Sequence, residues 1–363
     1  MKDAFRAYHG SNGSLPMKRE TITIYDLARE AGVSPATVSR VLNNSARVKK
    51  EKRDRVMELV EKYRFIPNAV AQGLSKSNTK TIGVLLSDVR NPFYSTLYVG
   101  IETAAIACGY NVILCDALND PDIECQHLEM LESKNVDVFL LLGGGADDMP
   151  PRPEYSALVK RITQKTPVIF ASSHNSFDAC RLLMNDLPGI EALMAYLLGL
   201  GHKKFVLLGG LPSIAPTYTK IQTISSILKR SGLQQDDGWV VETPHYEVDD
   251  GYQAAKKLFK RPLRELPTAI IGVNEMITLG VMRAAEEAGL RIPEDISVAG
   301  FDNTFLSKVC TPSLTCVGCM YDIYGEKLME LVKKLAVDPA YRETAMVPCG
   351  LTVRRSCGQA AER

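Results

Sequence analysis

A chain of 363 residues exceeds one ordinary domain, so two or three folding units are expected. Hydrophobic content of 45% with 23% charged residues suits a soluble globular protein, and no run approaches the roughly 18–20 apolar residues of a membrane span. The net charge of +1 hides an asymmetry: residues 1–80 hold 16 Lys and Arg against 8 Asp and Glu, and the remainder holds 27 against 34. A basic module on an acidic body points to a polyanion at one end, with an uneven solvated surface as the plain alternative. Nine scattered cysteines read as reduced thiols, and residues 1–16 lack the apolar stretch of a secretory signal, so the expected location is the cytoplasm.

Residues 1–20 show no apolar periodicity and are expected to form a disordered extension; Met17 is an alternative start to Met1. From 21 to 66 the pattern is that of three short helices. Ile24, Leu27, Ala28 and Ala31 share one face, Val38, Val41 and Leu42 a second, and Val56, Leu59, Val60 and Tyr63 a third. Thr23 with Asp26 forms a capping-box pattern, Gly32-Val33 a tight turn, and Ser34-Pro35 a cap followed by proline at the first helical position. Pro67 closes this region, and residues 67–80 read as a linker with one short apolar stripe at Val70, Ala71 and Leu74.

From Thr81 the rhythm is strand then helix. Apolar runs recur at Ile82–Leu86, Val112–Leu114, Val136–Leu142, Val168–Ala171, Leu182–Met184, Phe205–Leu208, Val240–Val241, Ala269–Val273 and Ile296–Phe301. Amphipathic stretches such as Tyr98–Cys108 and Gly280–Ala288 lie between them. This predicts an α/β body of two doubly wound parallel-sheet lobes over 81–357, with a cleft at the strands' carboxyl ends. The first lobe is expected at about 81–178 and 311–340, the second at about 179–310 and 341–357.

The segment TITIYDLAREAGVSPATVSRVLN at 21–43 closely resembles the helix-turn-helix headpiece of the LacI/GalR family of repressors. The likeness continues through Phe65–Ala71, Asn91-Pro92-Phe93-Tyr94, Leu200–Lys204, Gly289–Val298 and Leu314-Thr315. It implies a homodimeric repressor of double-stranded operator DNA, with a body of periplasmic-binding-protein type whose cleft takes a sugar, nucleobase or related effector. The residue chemistry agrees at the headpiece. Free N–H groups at the start of the second helix, with the hydroxyls of Ser34, Thr37 and Ser39, suit phosphates, and Arg40 has the fork that reads guanine. The resemblance adds Thr23, Asn43, Arg47, Ala71 and Leu74 to the DNA-contacting set. It makes 67–80 a hinge helix in the minor groove, with Leu74 wedged between central base pairs of a near-palindromic site. Pro35 and Ala36 stand where the family selects its operator and cannot hydrogen-bond a base edge. They either read DNA by shape and methyl contact or are simply good helix-start residues.

For the cleft the resemblance implies Phe93, Tyr94, Lys220, Tyr246, Asn274, Glu275 and Asp302 as effector contacts. Lys220 stands for a usual arginine and keeps the charge without the bidentate fork. Glu275 stands for a usual aspartate, and the family's Asp-Asn at the crossover is reversed as Asn185-Asp186. A cation, acids and aromatics together suit a small polar, sugar-like ligand. A regulator with no effector, or one using a corepressor, remains open, as does a solute-binding module. Cys316-x-x-Cys319 has no second ligand pair, Gly143-Gly144-Gly145 lacks the Lys-Ser/Thr of a phosphate loop, and no catalytic constellation is legible. No cofactor, metal, membrane contact or enzymatic activity is therefore expected, and Trp239 is expected in a strand of the core.

Overall fold

The computed structural model describes residues 22–42, 48–65, 79–174, 176–236 and 238–362. Asn43, Arg47, Ala71 and Leu74, and most of the expected linker, lie outside the described residues. The chain divides into two compact units, residues 1–77 and 78–363.

The first unit holds α1 (Ile24–Ala31), α2 (Pro35–Leu42) and α3 (Lys50–Tyr63). The capping box forms as the sequence predicts: Asp26 N–H donates to Thr23 Oγ1 at 3.3 Å, and Thr23 N–H donates to Asp26 Oδ2 at 3.0 Å. Gly32 ends α1 at φ 65°, the left-handed conformation that glycine adopts without cost. Leu27, Ala28, Ala31, Val38, Val41, Val56 and Leu59 form a shared core. Glu30 of α1 then ties the bundle shut by accepting from Lys62 Nζ (2.8 Å) and the Tyr63 hydroxyl (2.7 Å) of α3.

The second unit alternates strands with helices. In chain order these are β1 (Thr81–Leu86), α4 (Pro92–Ala107), β2 (Asn111–Asp116), α5 (Pro121–Ser133), β3 (Val138–Leu142), α6 (Pro153–Thr163), β4 (Val168–Phe170) and β5 (Cys180–Asn185). There follow α7 (Leu187–Gly199), β6 (Phe205–Leu208), α8 (Ala215–Arg230), β7 (Val240–Val241), α9 (Val248–Leu258), β8 (Ala269–Gly272), α10 (Glu275–Glu287) and β9 (Ser297–Gly300). The chain ends on α11 (Leu306–Val309), β10 (Thr315–Cys319), α12 (Tyr321–Val337) and β11 (Thr344–Thr352). The strand order is β2-β1-β3-β4-β5-β11-β10-β9-β8-β6-β7. Pairing is parallel except between β10 and β11. Residue alternation explains the two-sided cover: Leu85, Phe139 and Leu141 pack with α5 and α6, while Val84, Leu86, Leu140 and Leu142 join the core on the side of α4 and α12.

Strand β11 belongs to both lobes. Residues Thr344–Pro348 pair with β5, and Cys349–Thr352 pair with β10. Pro348, which has no N–H to donate, stands at the last β5 pair, where the strand changes partner. The chain crosses between lobes at two other places, after β5 and after β10. The observed divisions therefore fall near 185/186, 319/320 and 348/349, several residues beyond those expected. Strand β5 completes the first sheet beside β4 rather than opening the second, and β10 belongs beside β9. Trp239 is also displaced from expectation: it is only partly buried, in the bend before β7, and packs against the edge of the core. Among the described residues no helix is long and apolar enough to cross a membrane.

Two helix pairs cross at facing glycines. A Cβ on Gly280 of α10 would run into the Val248 carbonyl of α9, and one on Gly325 of α12 would run into the Gly100 carbonyl of α4. Gly280→Ala is expected to lower the stability of the second unit by about 2 kcal/mol, because backbone cannot give way and the helices must part. Gly199→Ala, at a helical position with open space around it, is expected to be neutral or stabilising by up to about 1 kcal/mol. Urea unfolding of both variants tests this; equal effects contradict it.

Candidate DNA interface and ligand cleft

Helix α2 has a buried side and an outward side. Val38 and Val41 are buried, whereas Ser34, Pro35, Ala36 and Arg40 are exposed and Thr37 and Ser39 are partly exposed. The separation follows from the 3.6-residue period, which sends 38 and 41 inward and 36 and 40 outward. Ser34 Oγ accepts the Thr37 N–H at 3.2 Å and lies 2.9 Å from the Thr37 hydroxyl, so the expected phosphate-binding hydroxyls are already oriented at the helix start. Thr23 is exposed at the start of α1. Lys49, Lys50, Lys52 and Arg55 crowd the exposed beginning of α3 and add positive charge to the unit.

In the second unit a cavity of about 590 Å³ opens where the chain crosses between lobes. That size is within the range of about 300–1,000 Å³ typical of small-molecule sites. Its lining draws on the carboxyl ends of β1, β3, β5 and β9, the start of α8 and the crossover residues Asn185, Asp186, Cys319, Tyr321 and Cys349. Phe93, Tyr94, Lys220, Tyr246, Asn274 and Asp302, all expected from the sequence, line it together. Phe93 packs edge-on against Tyr94 and Tyr321, with ring centroids 5.0 and 6.2 Å away. Tyr246 holds its hydroxyl 2.8 Å from that of Thr217. Asn274 is partly spent on structure: its Oδ1 caps α10 through Ile277 N–H at 2.8 Å, and its Nδ2 donates to the Tyr246 carbonyl at 3.1 Å.

Glu275 departs from expectation. It is buried away from the cavity lining and accepts from Thr304 N–H (3.2 Å) and Ser307 N–H (2.9 Å), capping the short α11. As the residue after the Asn274 cap, it projects sideways from the first turn of α10 rather than ahead into the cleft. Its backbone N–H instead donates to Asp302 Oδ2 at 3.1 Å. Asp302 and Asn303 both hold positive φ, 78° and 59°, an uncommon conformation for residues with a Cβ. That backbone turns Asp302 back across the end of β9.

Charges organise the cavity. Lys220 is buried, bridges to Asp186 at 3.1 Å and lies over the Phe301 ring at 4.5 Å. Burial opposes its charge, but Asp186 and Asp302 outweigh burial and hold the ammonium above its ordinary pKa. Arg152 pairs with Glu124 at 2.6 Å and Asp148 at 3.2 Å, and Glu124 also accepts the Gly145 N–H at 2.9 Å. The glycine run is thus a turn that clasps a carboxylate. Gly143 and Gly144 adopt φ 76° and 62°, which favours glycine there. Asp147 follows this turn with only 9% of its surface exposed, and its Oδ1 has no hydrogen-bond partner. Burial pushes its carboxyl up to about 6, against the pull of Ser172 and Lys220. Burial raises Asp302 to about 7. The sequence reading missed Asp147, Glu124 and Arg152; the position of an acid just past a β3 carboxyl end was the available signal.

Residues 23–68 match the profile of bacterial regulatory proteins of the lacI family, and residues 194–357 match that of a periplasmic binding protein-like domain. Catabolite control protein A of Priestia megaterium is 35% identical over 92% of this chain and 99% of its own. The protein of that name from Staphylococcus epidermidis is 34% identical over 88% and 93%. The chain belongs to the LacI family. Its relatives are transcriptional regulators, and it is a DNA-binding regulator of that type with a ligand-binding body. Among solved structures, a Lac repressor dimer bound to operator and the anti-inducer ONPF matches with a TM-score of 0.81 at 25% identity, over 93% of this chain and 99% of that one. A LacI family regulator from Enterococcus faecium with bound ribose matches with a TM-score of 0.65 at 25% identity, over 77% and 99%.

Asp147 makes stability depend on pH. Its carboxyl titrates near 6 in the fold and near its ordinary 3.8 when unfolded, so the folded state holds the proton more tightly. The resulting stabilisation is complete below pH 3.8 and is lost as pH rises through 6. Asp147→Asn is therefore expected to exceed the parent in stability at pH 8 by up to about 3 kcal/mol, with the gap closing below pH 4. Urea titrations across that range check it; a gap independent of pH contradicts it.

Proposed function

We propose that this chain is a transcriptional repressor that binds a near-palindromic operator as a homodimer in the cytoplasm. A small, polyhydroxylated ligand in the cleft sets its DNA affinity, and the chain catalyses no reaction. The carrying observation is the outward side of α2, where Ser34, Pro35, Ala36 and Arg40 stand exposed over the buried Val38 and Val41. A helix start with oriented hydroxyls, followed one turn later by an arginine, has the composition of a major-groove reader. Ser34, Thr37, Ser39 and Thr23 hold phosphates in this reading, with Asn43, Arg47 and Ala71 as further DNA contacts and Leu74 as the minor-groove wedge. Pro35 and Ala36 select by shape and methyl contact.

The relatives support the same reading. One structure is of a Lac repressor dimer on operator DNA, another of a regulator holding ribose, and the curated relatives carry the name catabolite control protein. The cavity's aromatics, Phe93, Tyr94, Tyr246 and Tyr321, offer faces for a sugar ring, and its acids offer acceptors for hydroxyls. Lobes that close on such a ligand would shift the population of DNA-competent dimers.

Selection of binding sites from a random duplex pool, followed by anisotropy titration, tests the DNA reading. A recovered inverted repeat bound at least about a thousandfold better than random duplex is expected. Arg40→Ala is expected to weaken that site by about 10- to 100-fold and to relax preference at one base pair per half-site. Equal weakening on selected and random DNA would reduce Arg40 to a phosphate contact, and recovery of no repeat would overturn the repressor reading.

A further inference from the structure

The cavity's charges are unequally committed. The lysine and the arginine in its lining already have carboxylate partners, Arg152 on Glu124 and Lys220 on Asp186. Withdrawing Arg152 for an anionic ligand would leave the buried Glu124 carboxylate uncompensated, and withdrawing Lys220 would break the Asp186 pair at the crossover. Asp147 is the reverse case: it lines the cavity, is about nine-tenths buried, and its Oδ1 meets no donor. Buried acceptors in folded proteins are nearly always satisfied, so an orphan on a cavity wall points to a donor carried by the ligand. Asp302 lines the same cavity and adds a second acid to the field there. A phosphate placed here would face both acids with no unpaired lysine or arginine in the lining, whereas an ammonium would find an acceptor and a complementary field.

Resting on the effector reading above, we propose that the cleft selects an amine-bearing sugar over the corresponding neutral sugar and rejects the phosphorylated one, with Asp147 receiving the amine. An ammonium adds a full opposite charge beside the Asp147 carboxylate, which a neutral hydroxyl donor lacks, and this sets the order of preference. The aromatic residues and Asn274 contact ring atoms common to all three ligands, so they do not discriminate among them.

The test is calorimetric titration of the full-length protein with gluco-, galacto- and manno-configured hexoses, each as the 2-amine, the neutral sugar and the 6-phosphate. In the configuration that binds best, the amine is expected to bind at least about fivefold tighter than the neutral sugar and the phosphate at least about tenfold weaker. In Asp147→Asn the ratio of amine to neutral affinity is expected to fall to about one, whatever the change in neutral-sugar affinity itself. A melting curve shows that this variant is folded. A phosphate that binds as well as the neutral sugar, or an amine preference that survives Asp147→Asn, overturns the proposal and leaves the effector reading standing. Failure of all nine ligands overturns both.

Discussion

Strand β11 spends its first five residues in one sheet and its last four in the other, so the two lobes share a hydrogen-bonded strand as well as covalent links. That constraint places the cavity. The other two crossings, after β5 and after β10, lie beside it, and residues from all three line the same space. Asp186, Cys319 and Cys349 are simultaneously connection and wall. Lys220 reaches from α8 to Asp186 at the first crossing, so a side chain of the second lobe is ion-paired at the joint itself. Cys319 and Cys349 face each other in the β10–β11 register, and both are buried.

On the opposite side the lobes meet through backbone. Met149 N–H donates to the Ser213 carbonyl at 2.8 Å, and Ala215 N–H donates to the Asp147 carbonyl at 2.8 Å. Asp147 therefore contributes its backbone to the contact between lobes and its unsatisfied carboxylate oxygen to the cavity between them. A ligand that engages the side chain acts on the very residue whose carbonyl holds the lobes together. Population shift needs only a difference in ligand affinity between lobe arrangements, and this residue offers a direct source of one.

What the sequence made legible was local. The caps of α1 and α2, the glycine turn and the inward valines are set by neighbours a few residues apart, and they appear where the spacing puts them. The alternation of strands and helices was equally readable from Ile82 to Phe301. The carboxyl-terminal strands were not. β11 contains Pro348 and small residues, a composition that argues against a strand until the change of partner explains why the missing N–H is tolerated there. The lobe boundaries shifted for the same reason, since they depend on which distant strand β5 and β10 join. Glu275 was a reasonable cleft acid by position, but one residue along a helix start is enough to turn a side chain from the cavity to the cap of α11. Asp147 went unread because its meaning comes from burial, which no local pattern encodes.

The measurement that bears most directly on a switch shared by cleft and headpiece is the affinity of one cleft ligand with and without saturating selected operator. Linkage requires the ligand's Kd to change by the same factor by which the ligand changes operator affinity, typically about 5- to 150-fold. Matching factors from the two titrations are the expected result. A ligand Kd that is identical with and without operator would contradict a regulator worked through this cleft.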